Sequence, residues 1–167
     1  MRACRGIAEG HSAGVMHRDI KPSNLIIEAH GRVSVINSGR AAPHTDDDRA
    51  AHTMLTETDA LVVTLAYIPP ERFAAPASAA LDVVSGVHAL GLVLYELLTD
   101  TCAWELYEVS AFDVPRAVSS APPRPPSDLA PAAAGDLAAI CLTAISCDTS
   151  RRYTSVDEFP DDIERAR

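Results

Sequence analysis

Between positions 16 and 27 the chain reads Met-His-Arg-Asp-Ile-Lys-Pro-Ser-Asn-Leu-Ile-Ile, and Asp19, Lys21 and Asn24 are its chemically capable side chains. A carboxylate and an amide at this spacing suit a loop that must offer the first to a substrate hydroxyl and the second to a hard cation. Such a loop needs the two groups about a turn apart and held still. Pro22 supplies the stiffness, because its ring fixes φ. An apolar run follows at once, so the loop is expected to lead into a strand.

Met16 to Ile27 closely resembles the catalytic loop of the protein kinase family, which has the pattern His-Arg-Asp, four residues, then Asn. His17, Arg18, Asp19 and Asn24 match without an insertion, and Lys21 gives the serine/threonine version of the loop. The resemblance implies ATP-dependent phosphorylation of protein serine or threonine, with ATP and Mg²⁺ as cofactors, catalysed almost wholly by positioning and electrostatics. Carried over, Asp19 would be the catalytic base. Lys21 would contact the γ-phosphate, and Asn24 would ligate the second metal. His17 would pack beneath the metal segment. Arg18 would pair with a phosphorylated threonine, for which Thr53, Thr56 and Thr58 are candidates.

The family's main metal ligand is the Asp of an Asp-Phe-Gly segment, whereas this chain has Asn37-Ser38-Gly39. Asn37 offers a neutral amide oxygen where Mg²⁺ prefers carboxylate. Thr64 to Arg72 resembles the family's closing motif and retains Thr64 and Glu71, with Val63 in place of Gly and Pro69 in place of Ala. Glu71 is expected to form a buried ion pair with Arg152. The family's Ser-Asp at the start of the central helix aligns with Ser85-Gly86, unless Asp82 serves after an insertion of four residues. No Gly-rich loop and no Val-Ala-x-Lys strand precede the loop, so a C-terminal lobe without its N-terminal lobe is expected. Three readings stay open: a partial kinase that cannot turn over alone, a pseudokinase-type module that binds a partner protein, and a decaying kinase fragment.

Composition agrees with one domain. At 167 residues and 47% hydrophobic content the chain can bury a real core, and its net charge of −9 disfavours nucleic acid and anionic membranes as partners. The cysteines Cys4, Cys102, Cys141 and Cys147 form no Cys-x-x-Cys pair, which points to buried free thiols rather than a metal knuckle. The longest apolar run, Gly86 to Leu98, carries His88 and Glu96 and is too short to span a bilayer. A cytoplasmic domain is expected.

The elements that must position the loop follow from periodicity. Arg2 to Ala13 reads as the end of a helix stopped at Gly14. Leu25–Glu28 and Arg32–Ile36 form a hairpin around Ala29-His30-Gly31, which carries Asn24 at its start and the metal segment 37–39 at its end. Residues 40–71 match the activation segment, opening as a long mobile loop to Val62, and Phe73 to Ala80 reads as an Ala/Pro surface loop. Val87–Thr99 is apolar on every face and predicts a fully buried helix. Trp104 to Phe112 is either a short helix or an irregular loop, with Trp104, Leu106, Tyr107 and Phe112 filling a groove. Pro115 to Pro131 reads as a spacer, with an SH3-type ligand as the weaker alternative. C-terminal helices span 129–165: one from Leu129 to Ser146, and one opened by a capping box at Ser155 to Glu158 and kinked at Pro160. The expected fold is thus mainly α, of the α+β kinase type, with a small β-hairpin on the upper surface.

Overall fold

In a computed structural model, the structure describes residues 19–30, 33–36, 64–74, 79–106 and 109–166. The fold is mainly helical with one two-stranded sheet. The helix expected over Arg2–Ala13, the loop 40–62 and the segment 37–39 lie outside the described residues.

A 3₁₀ turn at Pro22–Asn24 runs into β1 (Leu25–Ile27), which pairs antiparallel with β2 (Val33–Val35), Leu25 opposite Val35 and Ile27 opposite Val33. The Ile36 N–H donates to the Asn24 carbonyl at 2.8 Å, so the ladder continues to the residue just before Asn37. One end of the hairpin therefore holds the start of the loop segment and the end of β2 together.

Helix α1 (Glu71–Ala74) closes the segment that follows, and α2 (Ala79–Thr99) is the central element. The sequence expectation began α2 at Val87. It starts at Ala79 because Ala79, Ala80 and Leu81 are strong helix formers, so the stretch read as surface loop is helical at both of its described ends. Ser85 and Gly86 accordingly sit inside the helix. Val87, Leu90 and Val93 of α2 pack with Ile20, Ile140, Ala144, Val156 and Phe159, while Leu92 and Tyr95 pack with Cys141 and Ile145. α2 thus buries opposite faces in different clusters, as its all-round apolarity requires.

The region after α2 corrects several expectations. Trp104–Leu106 and Val109–Phe112 take the irregular-loop alternative; Leu106 and Trp104 pack with Ala66, Val114 and Val118 as expected of groove-filling residues, whereas Phe112 is 88% exposed. The proline-rich stretch carries α3 (Val114–Ser120) and α4 (Pro126–Leu129). Each has proline in its first turn, where the missing N–H costs nothing. The Tyr95 hydroxyl donates to the Arg124 carbonyl at 2.9 Å and the Trp104 indole N–H to the Ala121 carbonyl at 3.1 Å, which fastens the connector to the body.

The helix expected over Leu129–Ser146 is broken by a 3₁₀ turn at Pro131–Ala133 and by Gly135 at φ 94°, so α5 runs only over Asp136–Ala144. α6 (Glu158–Arg165) takes Pro160 in its first turn, where no intrahelical N–H is needed, rather than at the fifth helical position expected. Its entrance is boxed: Ser155 Oγ accepts from the Glu158 N–H at 3.2 Å, and the Glu158 carboxylate accepts from the Thr154 N–H at 3.0 Å. Among the described cysteines, Cys102 and Cys147 are exposed and only Cys141 is buried, which corrects the expectation of buried thiols. Burial pushes the Cys141 thiol up to about 12. No helix among the described residues is long and apolar enough to cross a membrane.

Candidate active site

The 3₁₀ turn after Lys21 folds Asn24 back over Asp19. Asn24 is buried, and its Nδ2 donates to the Asp19 carbonyl at 2.8 Å and to Asp19 Oδ2 at 2.9 Å. Both amide hydrogens are thereby engaged, which fixes the amide's orientation and leaves the oxygen Oδ1 out of these two bonds. The Lys21 ammonium lies 3.6 Å from Asp19 Oδ1 and donates to Thr64 Oγ1 at 3.1 Å. Asp19, Lys21, Asn24 and Thr64 are therefore brought together, although Lys21 and Thr64 stand 43 positions apart. The Asp19 and Lys21 side chains remain 21% and 19% exposed.

His17, Arg18, Asn37, Thr53, Thr56 and Thr58 lie outside the described residues. Among the described residues no group of three or more His, Cys, Asp or Glu side chains is placed to hold a metal. The Asn24 amide oxygen is a hard donor of the kind Mg²⁺ takes beside retained waters, and Lys21 suits a phosphate as a point charge.

A second polar constellation anchors the other end of the segment 64–74. Arg152 donates from Nη1 to Glu71 Oε1 at 2.7 Å and from Nη2 to Glu71 Oε2 at 2.8 Å, a bidentate pair with side chains 0% and 12% exposed. The same guanidinium donates to the Val84 carbonyl at 3.3 Å and to the Ser146 carbonyl at 2.5 Å. Ser85 Oγ donates to Glu71 Oε1 at 2.9 Å. Sequence reasoning had passed over the Ser85 hydroxyl, because it weighed the pair Ser85-Gly86 only for its missing carboxylate.

Two further residues were missed. Tyr67 packs against all three apolar clusters and donates its hydroxyl to Glu96 of α2, and burial together with that carboxylate raises the phenol well above its usual range. His88 of α2 is fully buried, its ring stacked on Trp104 with centroids 6.3 Å apart. A histidine inside an apolar helical run was the signal available for it.

This is a helical body with a small hairpin, and its loop brings a carboxylate, an amide and an ammonium together. The protein kinase domain family matches residues 1–157, and the chain belongs to that family, in its bacterial serine/threonine form. A probable serine/threonine-protein kinase of Corynebacterium efficiens is 37% identical over 165 residues, covering 96% of this chain and 24% of that protein. Serine/threonine-protein kinase PknB of Mycobacterium tuberculosis is 31% identical over 167 residues, covering 98% of this chain and 25% of its own length. The chain spans about a quarter of the length of the curated relatives it matches.

Proposed function

We propose that this chain is the C-terminal lobe of a serine/threonine protein kinase, with a catalytic loop at 16–27, a degenerate metal segment at 37–39 and an activation segment at 40–71, and that by itself it turns over poorly or not at all. The observation that carries the reading is the Asp19–Lys21–Asn24–Thr64 cluster, which joins the loop to the closing segment through the Lys21 hydrogen bond to Thr64. Asp19 receives the proton of the substrate serine or threonine hydroxyl. Lys21 would offset charge on the phosphoryl group, and Asn24 would hold a cation. When bound, ATP supplies the phosphoryl group and Mg²⁺ offsets its negative charge.

Impairment follows from Asn37, a weaker partner for Mg²⁺ than the carboxylate it replaces, since removing one aimed electrostatic group costs on the order of 10²–10³ in rate. Mg·ATP is expected to bind this chain no tighter than about millimolar, near 4 kcal/mol, in calorimetric titration. The partners are proteins, and the domain works in the cytoplasm.

A second reading is favoured by the contrast between loss and retention. Asn37 and Gly86 have lost carboxylates of the site, while the Glu71–Arg152 pair that holds the closing segment is intact. That combination suits a pseudokinase-type module that keeps its surface and gives up turnover; a decaying fragment would keep neither for long.

A repaired chimera tests the choice. The chain is joined to the N-terminal lobe of a relative, with Asn37→Asp, Ser38→Phe and Gly86→Asp introduced together. Activity on a basic protein should appear, should exceed the sum of the single repairs, and should vanish with Asp19→Asn. A chimera that folds and binds ATP yet transfers nothing replaces the enzyme reading with the binding module.

A further inference from the structure

A cavity of about 650 Å³ opens between the end of α3, the irregular stretch Ala121–Pro125 and the end of α5 with the turn that follows it. Asp19, Lys21, Asn24 and Thr64 take no part in its walls. Small-molecule sites span roughly 300–1,000 Å³, so the space suits a compact organic ligand. Its walls are held in place. The Trp104 indole N–H donates to the Ala121 carbonyl at 3.1 Å and the Tyr95 hydroxyl to the Arg124 carbonyl at 2.9 Å, on either side of Pro122 and Pro123. The Ser146 carbonyl on the opposite wall accepts at 2.5 Å from Arg152 of the Glu71–Arg152 clamp. A wall fixed beforehand loses little freedom when a ligand enters.

The lining divides by chemistry. Pro122, Pro123, Pro125, Leu142 and Ile145 supply apolar surface, and the prolines bring no N–H to it. The hydroxyls of Ser119 and Ser120 and the Cys147 thiol have already given their hydrogens to the protein, at the Pro115, Ala117 and Val118 carbonyls. The Asp148 carboxylate accepts from the Ser150 N–H at 3.0 Å and from its hydroxyl at 2.7 Å. Arg151 differs from all of these. It is exposed, and among the described residues its guanidinium enters no hydrogen bond and no ion pair. The described wall thus carries an uncommitted cation beside apolar surface.

We propose that this cavity binds a small organic monoanion, with an aromatic or branched aliphatic body against the prolines, Leu142 and Ile145 and a carboxylate paired with Arg151. Guanidinium and carboxylate match in shape as well as charge. A strongly hydrated ion such as free phosphate gains nothing from apolar walls and loses water on entering. A neutral apolar ligand gives the guanidinium no partner. A dianion is disfavoured, since Asp148 already places one negative charge on the same wall. Occupancy requires neither ATP nor turnover.

Calorimetric titration of the full chain with 2-naphthoate and with its neutral counterpart 2-naphthamide tests the site. The naphthoate should saturate a single site with a Kd of about 0.1–1 mM, and the amide should bind about tenfold more weakly. Arg151→Gln, a change at an exposed side chain, should bring the naphthoate down to the level of the amide. Thiol alkylation reports the position, because Cys147 lines the cavity and Cys102, also exposed, does not. With the naphthoate at about ten times its Kd, iodoacetamide should modify Cys147 about tenfold more slowly and Cys102 at an unchanged rate, as mass action at one site requires. Four results would each overturn the site: no saturable binding, equal affinity for acid and amide, binding untouched by Arg151→Gln, or equal slowing at the two cysteines.

Discussion

The segment 64–74 is fastened at both ends, and the two fastenings are built differently. At Thr64 one hydrogen bond from Lys21 crosses to a loop whose Asp19 and Lys21 side chains are about a fifth exposed. At Glu71 a bidentate ion pair is backed by bonds from Ser85 and to the Val84 and Ser146 carbonyls, with the Arg152 side chain wholly buried. Under the proposed function the first end must admit substrate and exchange partners, so it cannot be sealed. The second end never meets substrate and can be sealed. A change at the open end can therefore leave the sealed end's bonds in place.

The largest expected effect comes from breaking the sealed end. Glu71→Ala strands a buried guanidinium and should lower stability by about 3–5 kcal/mol, read from urea midpoints. A loss under about 1 kcal/mol would show that water enters to solvate Arg152, and the contrast between the two ends would collapse.

Next in size is the seam between α2 and α5 on which both ends depend. A Cβ added at Gly91 would lie 2.7 Å from Ala144 Cβ and 2.7 Å from Ile145 Cγ2, and Ala144 Cβ is held by its own backbone. Gly91→Ala should therefore cost about 1–3 kcal/mol of overpacking, against about 1 kcal/mol gained in helix propensity. Thermal unfolding of the variant checks the sign. A rise in Tm would mean that the helices separate readily, and that the clamp alone orders the segment.

Much of this was legible in the sequence, for reasons that differ by residue. Asp19, Lys21 and Asn24 could be assembled because their geometry is local, set by five positions and one proline. The hairpin was legible for the same reason. The start of α2 was not, since Ala-rich sequence serves a surface loop and a helix equally well until Glu71 and Arg152 anchor the chain beside it. The breaks around α5 needed the left-handed Gly135, and the place of Pro160 in the first turn of α6 needed the helix start to be known to within a residue. His88 was visible only as an anomaly in an apolar run. What it touches comes from residues distant in the chain, and no periodicity reports that.

A smaller effect of opposite sign is expected where α2 stops. Asp100 adopts φ 57°, in the left-handed region, while its N–H donates to the Glu96 carbonyl at 2.8 Å. Asp100→Gly removes the steric cost and keeps the bond, so it should stabilise by about 0.5–1 kcal/mol after the added freedom of the unfolded chain is counted. The gain should appear equally in the wild type and in Glu71→Ala, since α2's end lies outside the clamp. Unequal gains would mean that the clamp's influence reaches the far end of the helix.

The smallest effect is expected at the open end, from Asp19→Ala. The substitution removes the Oδ2 acceptor of one Asn24 amide hydrogen, but the other keeps the Asp19 backbone carbonyl at 2.8 Å, and the Lys21 ammonium keeps Thr64. Because the Asp19 side chain is 21% exposed, water can take the place of its carboxylate, and at 3.6 Å its contact with the Lys21 ammonium is a loose one. Catalytic carboxylates are commonly held at some cost to stability, so relief of that cost offsets the lost hydrogen bond. The urea midpoint should therefore stay within about 0.5 kcal/mol of the wild type, far from the Glu71→Ala value. Phosphoryl transfer in the repaired chimera should disappear with the same substitution. A destabilisation as large as that of Glu71→Ala would show that the loop is a structural support like the clamp, and that its likeness to a working site is only geometric.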